Sequence, residues 1–397
     1  MRSAGTDLLS LALMDARNRT LGWLAAFEGL EPGAAPDGFD PPWWLAGQAG
    51  WFQEYWIARH VQRAQGAAAD PTGLRLASVE PQADAWFAPA ACTPAQRWSP
   101  AYPQTAPDLE AVRGYLAATL DTTLDLLAKA GPGDDALFVF RRALMHEDLL
   151  GESLAGLVQG LNLSPERHQP LVDRGLWPAL PGRAGRDAIG VAGQSFQLGS
   201  APGGWVPDTE YWAHPVQVSP FEIDAQPVNW SQFAEFVVDG GYDERGWWSP
   251  AGWAWVQAGG RRAPRYVEQV AGAVLAHRQG RVQRLPAAQV ALHLSAHEAD
   301  AWCCWAGRRL PSEAEWALAA TLASARGFAW GEVLEWVAGT ARPYPGAGDA
   351  LAPVVPGQRV LRGASAWASA RLRHAQARRY VLSGTDVLFA GFRSCAL

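Results

Sequence analysis

The first 165 residues carry apolar side chains at the spacing of amphipathic helices, and this pattern occupies four long stretches. The stretches cover residues 8–27, 42–65, 107–130 and 134–161. Four helices of this length, with a long crossover through residues 66–106, predict an antiparallel four-helix bundle. Bundles of this kind place metal or ligand sites between facing helices.

The pattern changes after about residue 165. Residues 166–190 are rich in Pro, Gly and Arg, which indicates a linker. Residues 191–397 contain short strand-like runs, many glycines and scattered tryptophans, and helical spacing returns only at 229–240 and 296–307. We therefore predict a helical domain over residues 1–165, a linker over 166–190 and an α+β domain over 191–397.

Composition narrows the class of protein. The 397 residues are enough for two domains with full cores, and 49% hydrophobic with 18% charged residues is typical of an ordered globular protein. A net charge of -6 without a basic stripe argues against nucleic-acid binding. We find no signal-peptide pattern, no apolar run of transmembrane length and no metal-ligand spacing among the four cysteines. These features predict a cytoplasmic protein without a membrane partner.

Four short motifs follow one another in the last third of the chain, at residues 307–316, 335–336, 361–365 and 390–393. Two further segments, 220–224 and 227–230, lie upstream of them. Each motif is too short to be specific alone. In this order they resemble the formylglycine-generating-enzyme-like domain of the sulfatase-modifying factors, which has a C-type-lectin-like fold. The resemblance implies that residues 191–397 adopt this α+β fold.

A helical bundle followed by such a domain resembles the ergothioneine-synthase (sulfoxide synthase) family, whose bundle is of the DinB-like type. Segments 50–59, 146–148, 221–227 and 391–395 are similar to the selenoneine-synthase branch of that family. The resemblance implies a non-haem iron oxidoreductase of selenoneine or ergothioneine biosynthesis. Its expected substrates are hercynine, oxygen and a selenosugar or thiol donor, and it would form a C–Se or C–S bond at C2 of the hercynine imidazole.

The resemblance also implies an Fe(II) site. In the family, one His on the second helix and an HxxxHxE motif on the fourth helix hold the iron, because residues four apart share one helix face. The corresponding positions here are Gln48, His146 and Leu150, so one of three imidazoles remains. His146 is then either the surviving ligand of a degenerate metal site or a hydrogen-bonded core residue.

The segment that precedes the last motif implies a substrate site. Arg378 and Arg379 would offer fixed cations to an anionic or hydroxyl-bearing ligand, and Tyr380 an aromatic face to a trimethylammonium group. Alternatively, the two arginines form structural ion pairs. Val381 and Thr385 replace the family residues that grip a γ-glutamylcysteine donor, which favours an uncharged sugar. The sequence identifies no catalytic acid.

Three functions therefore remain open. The first is an iron- and oxygen-dependent synthase, which the overall resemblance favours. The second is a metal-poor pseudoenzyme or small-molecule-binding protein on the same scaffold, which the loss of two His ligands favours. The third is a structural interaction module. Cys303 and Cys304 do not match the copper-binding pair of formylglycine-generating enzymes, which argues against that activity.

Overall fold

The computed structural model describes residues 1–30, 36–99, 106–347 and 354–397. Its contacts divide the chain into two compact units. The first contains Met1–Trp177, Gly203–Val206 and Trp367–Leu372, and the second contains Pro178–Pro202, Pro207–Ala366 and Arg373–Leu397. The segment predicted as a linker is shared between the two units, and its first part forms a helix. In the part of the chain that the structure describes, no helix is both long enough and apolar enough to cross a membrane.

The first unit is helical. Its long helices α1, α2, α5 and α6 pack on one another, with α1 and α2 each contacting both α5 and α6. Two short helices, α3 and α4, lie in the predicted crossover, part of which falls outside the described residues. The helices are α1 Thr6–Leu24, α2 Pro42–Gln53, α3 Ala83–Phe87, α4 Pro94–Arg97, α5 Leu109–Ala128, α6 Asp134–Gly160 and α7 Pro165–Asp173.

Local sequence accounts for where these helices begin. Pro42 opens α2, where its missing N–H costs nothing. The Asp108 carboxylate accepts a hydrogen bond from the backbone N–H of Ala111 and caps α5. Asp134 and Asp135 lie in the first turn of α6, where negative charge is favourable.

A buried polar network connects α1, α2 and α6. Arg17 donates to Glu147 at 2.8 Å, and both side chains are almost fully buried. The same carboxylate accepts from Thr20 at 3.0 Å and from the Gln53 amide at 2.9 Å. Buried charge is tolerated only when it is paired and hydrogen-bonded, so this network fixes how the three helices align. It also orients the α6 turn that carries His146.

The second unit is α+β, as the sequence predicted. Its strands are β1 Ile189–Val191, β2 Gln194–Leu198, β3 His214–Val218, β4 Phe221–Ile223, β5 Val267–Val270, β6 Val274–Arg278, β7 Arg281–Arg284, β8 Leu334–Trp336, β9 Gln358–Gly363, β10 Arg378–Leu382 and β11 Ala390–Phe392. They form sheets in the orders β10-β9-β8-β11, β5-β6-β7, β1-β4 and β2-β3. The helices are α8 Trp230–Val238, α9 Pro250–Gly259, α10 Ala296–Trp305 and α11 Glu313–Leu322.

The ordered motifs of the last third meet at a buried carboxylate. Glu335, on β8, accepts two hydrogen bonds from Arg393, at 2.6 and 2.8 Å, and one from the Trp316 indole at 2.9 Å. Arg362 lies over the Trp316 ring, 5.6 Å from its centre. All four side chains are fully buried. The motifs therefore specify the core of the fold, because each supplies one member of a network that is costly to leave incomplete.

The structure corrects two details of the sequence-based helix assignment. The second helix was predicted to extend to residue 65, but its regular part ends at Gln53 and continues as one π-helical turn, Glu54–Ala58. His60 therefore lies beyond the helix, where its ring contacts the carbonyl oxygen of Asp70 at 3.1 Å. Helices α9 and α11 were not predicted. Ser312 caps α11 in a reciprocal capping box with Glu315.

Candidate functional site

A cavity of about 540 Å³ in the first unit contains two of the three predicted metal positions. Its walls come from α2 and the π-helical turn, from α6, and from the segment around α3. Most of the lining side chains are aromatic or apolar, with a few polar groups among them, which is the usual chemistry of a small-molecule pocket. The lining residues are Gln48, Trp51, Phe52, Tyr55, Trp56, Asp84, Ala88, Pro89, Ala90, Arg142 and His146.

Helix geometry explains why these side chains converge. On α2, Gln48 and Phe52 are four residues apart, and on α6 the same spacing separates Arg142 from His146, so each pair shares a face. The π-helical turn then shifts the register of Tyr55 and Trp56. Single π-turns inside helices are frequent at functional sites.

Gln48 and His146 contact each other directly. The Nε2 atom of His146 lies 2.8 Å from the Oε1 atom of Gln48. Because this amide oxygen accepts, Nε2 carries the imidazole proton. The Gln48 amide nitrogen donates in turn to the Phe87 carbonyl oxygen at 3.1 Å, which fixes the orientation of the amide. The resemblance assigns positions 48 and 146 to one metal site; the structure brings the two side chains into contact, and metal binding by them stays a prediction.

The environment of His146 keeps its imidazole neutral. The ring stacks on Phe52, with centroids 4.0 Å apart and planes 20° from parallel. Burial, and secondarily the positive charge of Arg142, lowers the pKa of His146 to about 3. A neutral imidazole could serve as a ligand, but its Nε2 is occupied by the hydrogen bond to Gln48.

The residues at the expected iron site do not fit an Fe(II) centre. Leu150 is buried and its side chain has no donor atom. Within residues 1–30, 36–99, 106–347 and 354–397, no group of three or more His, Cys, Asp or Glu is arranged to hold a metal ion. An amide oxygen and one imidazole, bonded to each other, are a poor set for this metal, whose affinity depends on ligand type and number. The hydrogen bond pairs the Gln48 amide oxygen with the His146 Nε2–H group without metal.

Two guanidinium groups lie over aromatic rings that line the cavity, and of the two only Arg142 lines the cavity itself. The Arg142 guanidinium carbon lies 4.6 Å from the centre of the Trp56 ring and 5.4 Å from that of Phe52. Arg75 lies over the same Trp56 ring at 5.1 Å and over Tyr55 at 4.5 Å. These are cation–π distances, so each arginine is held by the rings it covers.

Asp84 supplies a carboxylate to the lining, and its negative charge is paired with the Arg59 guanidinium. It receives two hydrogen bonds from Arg59, at 2.8 and 2.9 Å, and one from the Trp51 indole at 2.7 Å. These donors hold the pKa of Asp84 below its ordinary value, with the bond from Arg59 the largest cause. The Asp84 carboxylate therefore positions Trp51 at the rim of the pocket.

The predicted substrate residues lie in the second unit, on β10. Arg378 is buried and donates twice to Glu313, at 2.9 Å each, and once to the Thr209 carbonyl oxygen at 2.7 Å. Tyr380 is half-buried and donates to the Arg342 carbonyl oxygen at 2.9 Å. Arg379 is half-buried. The Arg378 side chain thus has structural partners that do not depend on a ligand.

Sequence reasoning missed two lining residues of the first-unit cavity, Arg142 and Asp84, and also Arg75, which lies over two of the lining rings. Arg142 could have been found, because it lies one helical turn before His146 on the same face. Asp84 and Arg75 come from the crossover, whose short irregular elements give no periodic signal. Their positions follow from long-range pairing with Arg59 and Tyr55.

Comparisons with known proteins show which proteins this chain is similar to. A model of the sulfatase-modifying factor enzyme 1-like domain matches residues 176–333. The chain is 33% identical over 360 residues to the hercynine oxygenase of Mycolicibacterium thermoresistibile, covering 88% of this chain and 74% of that protein. It is 35% identical over 278 residues to the hercynine oxygenase of Mycolicibacterium smegmatis, covering 66% and 62%. It is also 33% identical over 171 residues to the formylglycine-generating enzyme of Streptomyces coelicolor, covering 40% and 54%.

The extent of these matches differs along the chain. The formylglycine-generating enzyme shares only part of it, whereas one hercynine oxygenase aligns with most of it. The match to the Mycolicibacterium smegmatis protein spans less than two thirds of that relative. Alignment over 88% of this chain and 74% of a relative nevertheless establishes the family. The chain belongs to the ergothioneine-synthase family of hercynine oxygenases and carries that family's formylglycine-generating-enzyme-like domain.

Proposed function

We propose that this protein acts on hercynine in an oxygen-dependent reaction that forms a C–Se or C–S bond at C2 of its imidazole. The observation that carries the proposal is the alignment with hercynine oxygenases over most of the chain. The selenoneine reaction, with a selenosugar as donor, is the form that segments 50–59 and 391–395 favour by resemblance. An uncharged sugar donor also agrees with Val381 and Thr385 at the expected donor positions.

The proposal assigns residues to the two ends of hercynine. Tyr380 offers a half-buried aromatic face for the trimethylammonium group, and Arg379 a cation for the carboxylate. Arg378 would orient Tyr380, because its guanidinium donates to the Tyr380 hydroxyl at 2.9 Å and is held by Glu313. No step is assigned to an iron centre, since the residues at the expected positions do not fit one.

A second candidate function is supported by one specific contact. The hydrogen bond between Gln48 and His146 satisfies the groups that would otherwise face a metal, and Leu150 contributes no ligand. This favours a metal-poor binding protein that retains the pocket but does not catalyse the oxygen-dependent step. Such a protein would bind hercynine or the chalcogen donor without turnover.

One experiment separates the two candidates. The purified chain is incubated aerobically with hercynine, Fe(II) and either a selenosugar, cysteine or γ-glutamylcysteine, and the products are followed by mass spectrometry. The proposed function predicts a donor-dependent adduct of hercynine and matching oxygen consumption. A parallel reaction with an active relative is the positive control. If calorimetry shows that hercynine binds but no adduct forms, while the relative forms one, the result would instead support the binding protein. If hercynine neither binds nor forms an adduct, both proposals are wrong.

A further inference from the structure

We infer that a groove beside α8, in the second unit, binds a small zwitterion with an apolar body, such as an amino acid with an aromatic side chain. The cavity has a volume of about 830 Å³, which is within the usual size of a small-molecule site. Its lining residues lie between residues 230 and 305, and none belongs to β10. Binding there goes beyond the proposed function and does not rest on it. We call this cavity the α8 groove.

The α8 groove is built from four segments of the second unit. One wall is a single face of α8, because its residues 231, 234, 235, 238 and 239 recur at helical spacing. The remaining walls are the β5–β6 turn, the end of β7 with the residues that follow it, and the last residue of α10. Side chains from a helix and from the sheet β5-β6-β7 can therefore contact one ligand.

Backbone hydrogen bonds join these walls. The N–H group of Ser231, in the first turn of α8, donates to the Ala287 carbonyl oxygen at 2.9 Å. The N–H group of Leu285, just after β7, donates to the Val274 carbonyl oxygen of β6 at 2.8 Å. The shape of the α8 groove therefore does not depend on a ligand, and a preformed site loses less entropy on binding.

The α8 groove offers an apolar surface to the body of a ligand. Val274 and Leu285 line it and are buried, whereas Val238 lines it and is 65% exposed. Trp305 is half-buried, and its ring packs edge-on against Phe236 with centroids 5.8 Å apart. A flat apolar body in the groove would remove the exposed valine and the indole ring from water, which is favourable.

The α8 wall supplies negative charge. Glu235 and Asp239 are exposed and four residues apart on this face, a spacing at which like charges destabilise a helix. Asp239 accepts a hydrogen bond from the Trp305 indole at 3.2 Å, which holds one carboxylate oxygen beside the aromatic ring. Neither carboxylate has a cationic partner among the residues that the structure describes. An ammonium group of a ligand would supply that partner and relieve the repulsion.

Arg284 supplies positive charge from the sheet. It lies at the end of β7, it is exposed, and it lines the same groove. Within residues 1–30, 36–99, 106–347 and 354–397, its guanidinium group has no carboxylate partner. A guanidinium group presents a planar fork that suits a carboxylate. The α8 groove thus carries unpaired charges of both signs beside an apolar surface, which is complementary to a zwitterion with an apolar body.

Three probes with a common phenyl ring test this recognition. They are L-phenylalanine, which is zwitterionic, phenethylamine, which is cationic, and 3-phenylpropionate, which is anionic. Calorimetric titrations are made at pH 7, where the ammonium and carboxylate groups of the probes are charged. We expect L-phenylalanine to bind about fivefold or more tightly than either analogue, because each analogue lacks one of the two charged contacts.

Variants assign each charge of the ligand to its wall. The double variant Glu235→Gln/Asp239→Asn should weaken L-phenylalanine and phenethylamine by about fivefold or more and should not weaken 3-phenylpropionate. The Asn side chain can still accept from the Trp305 indole, so this wall keeps its shape. Arg284→Gln should weaken L-phenylalanine and 3-phenylpropionate by a similar factor and should not weaken phenethylamine.

Two variants outside the groove are the matched controls. Arg281→Gln removes an exposed arginine of the same strand that does not line the groove. Asp125→Asn removes an exposed carboxylate on α5 of the first unit. Neither should change the binding of any probe. Circular dichroism verifies that each variant is folded.

Any of three results would show that the α8 groove does not recognise a zwitterion. They are no measurable binding of L-phenylalanine, binding of an analogue as tight as that of L-phenylalanine, and unchanged binding of L-phenylalanine in either folded groove variant. These results are separable from those on hercynine. A chain that does not convert hercynine could still show the charge pattern in the groove, and a chain without that pattern could still convert hercynine.

Discussion

The imidazole Nε2 of His146 and the amide oxygen of Gln48 are 2.8 Å apart, on facing helices of the first unit. This hydrogen bond holds the imidazole proton on Nε2, so Nε2 offers no lone pair to a metal ion. The hydrogen bond must break before either side chain can bind a metal ion. An amide oxygen binds Fe(II) only weakly, so metal binding would not compensate for this loss. The pair is therefore the structural reason to expect a weak metal site.

We predict that the natural chain binds Fe(II) much more weakly than a variant with restored ligands. Gln48→His combined with Leu150→His would add two imidazoles to that of His146, and residues 146 and 150 share a face of α6. Iron is measured after anaerobic loading and removal of excess metal. The single variant Leu150→His is the control, and it should remain well below one iron per chain. Stoichiometric, tightly held iron in the natural chain would show that the ligands lie elsewhere.

A second prediction concerns a buried ion pair of the first unit. Arg371 donates two hydrogen bonds of 2.7 Å to Asp148, whose side chain is 1% exposed. Removing the partner of a buried charge costs about 3–5 kcal/mol, so Arg371→Met should lower the free energy of unfolding by that order. Arg113→Met, which removes a surface pair with Glu28, should cost about 1 kcal/mol or less. Urea unfolding of the two variants checks this, and equal losses would contradict it.

A third prediction concerns pH and the buried Glu298 of the second unit. Its carboxyl group accepts hydrogen bonds from Tyr242 and from the Ser295 backbone N–H, yet burial dominates and raises its pKa to about 7. The folded state then holds this proton more tightly than the unfolded state does. Its contribution to stability is consequently complete at low pH and is lost as pH rises from about 4.5 to about 7, by up to about 3 kcal/mol.

The Glu298→Gln variant isolates this contribution. Because Gln does not ionise, the difference in unfolding free energy between the variant and the natural chain should change across that pH range and level off above it. Thermal or urea unfolding at several pH values gives the measurement. A difference that stays constant with pH would show that Glu298 does not titrate between the two values.

The sequence was sufficient to predict those parts of the fold that depend on local periodicity or on a compact network of buried side chains. Apolar spacing predicted the four long helices of the first unit, because each buries one face. The ordered motifs predicted the α+β domain because Trp316, Glu335 and Arg393 form one buried cluster, and loss of any member would leave an unpaired polar group. That Gln48 lies near His146 was implied by the family resemblance, which assigns both positions to one site, and not by any spacing in the sequence.

The sequence was insufficient where side-chain placement depends on irregular backbone. Glu54–Ala58 forms a π-helical turn, which no apolar spacing indicated, and it sets where Tyr55 and Trp56 point. Asp84 reaches the cavity through pairing with Arg59, 25 residues away in the chain, from a crossover without periodic pattern. The place of Asp84 in the pocket follows from such a long-range contact and so required the structure.

The last prediction concerns recognition of hercynine by β10. If Tyr380 holds the trimethylammonium group, Tyr380→Ala should weaken binding by several-fold to tens-fold, because a cation–π contact contributes about 0.5–2 kcal/mol. Tyr380→Phe is the matched control. It keeps the ring but loses the hydroxyl group that donates to the Arg342 carbonyl oxygen and accepts from Arg378, so binding should fall less than in Tyr380→Ala. Calorimetric titration with hercynine provides the measurement.

Arg379 and Arg378 should respond differently in the same titration. Arg379→Ala should cost about 1.5–3 kcal/mol of binding, more than Tyr380→Ala, because it removes a charge-assisted hydrogen bond to the carboxylate. Arg378→Ala should act mainly on stability, since it leaves Glu313 without the two hydrogen bonds that Arg378 donates. If hercynine does not bind, or if Arg379→Ala and Tyr380→Ala bind it as tightly as the natural chain does, then β10 does not recognise hercynine. These residues are then structural.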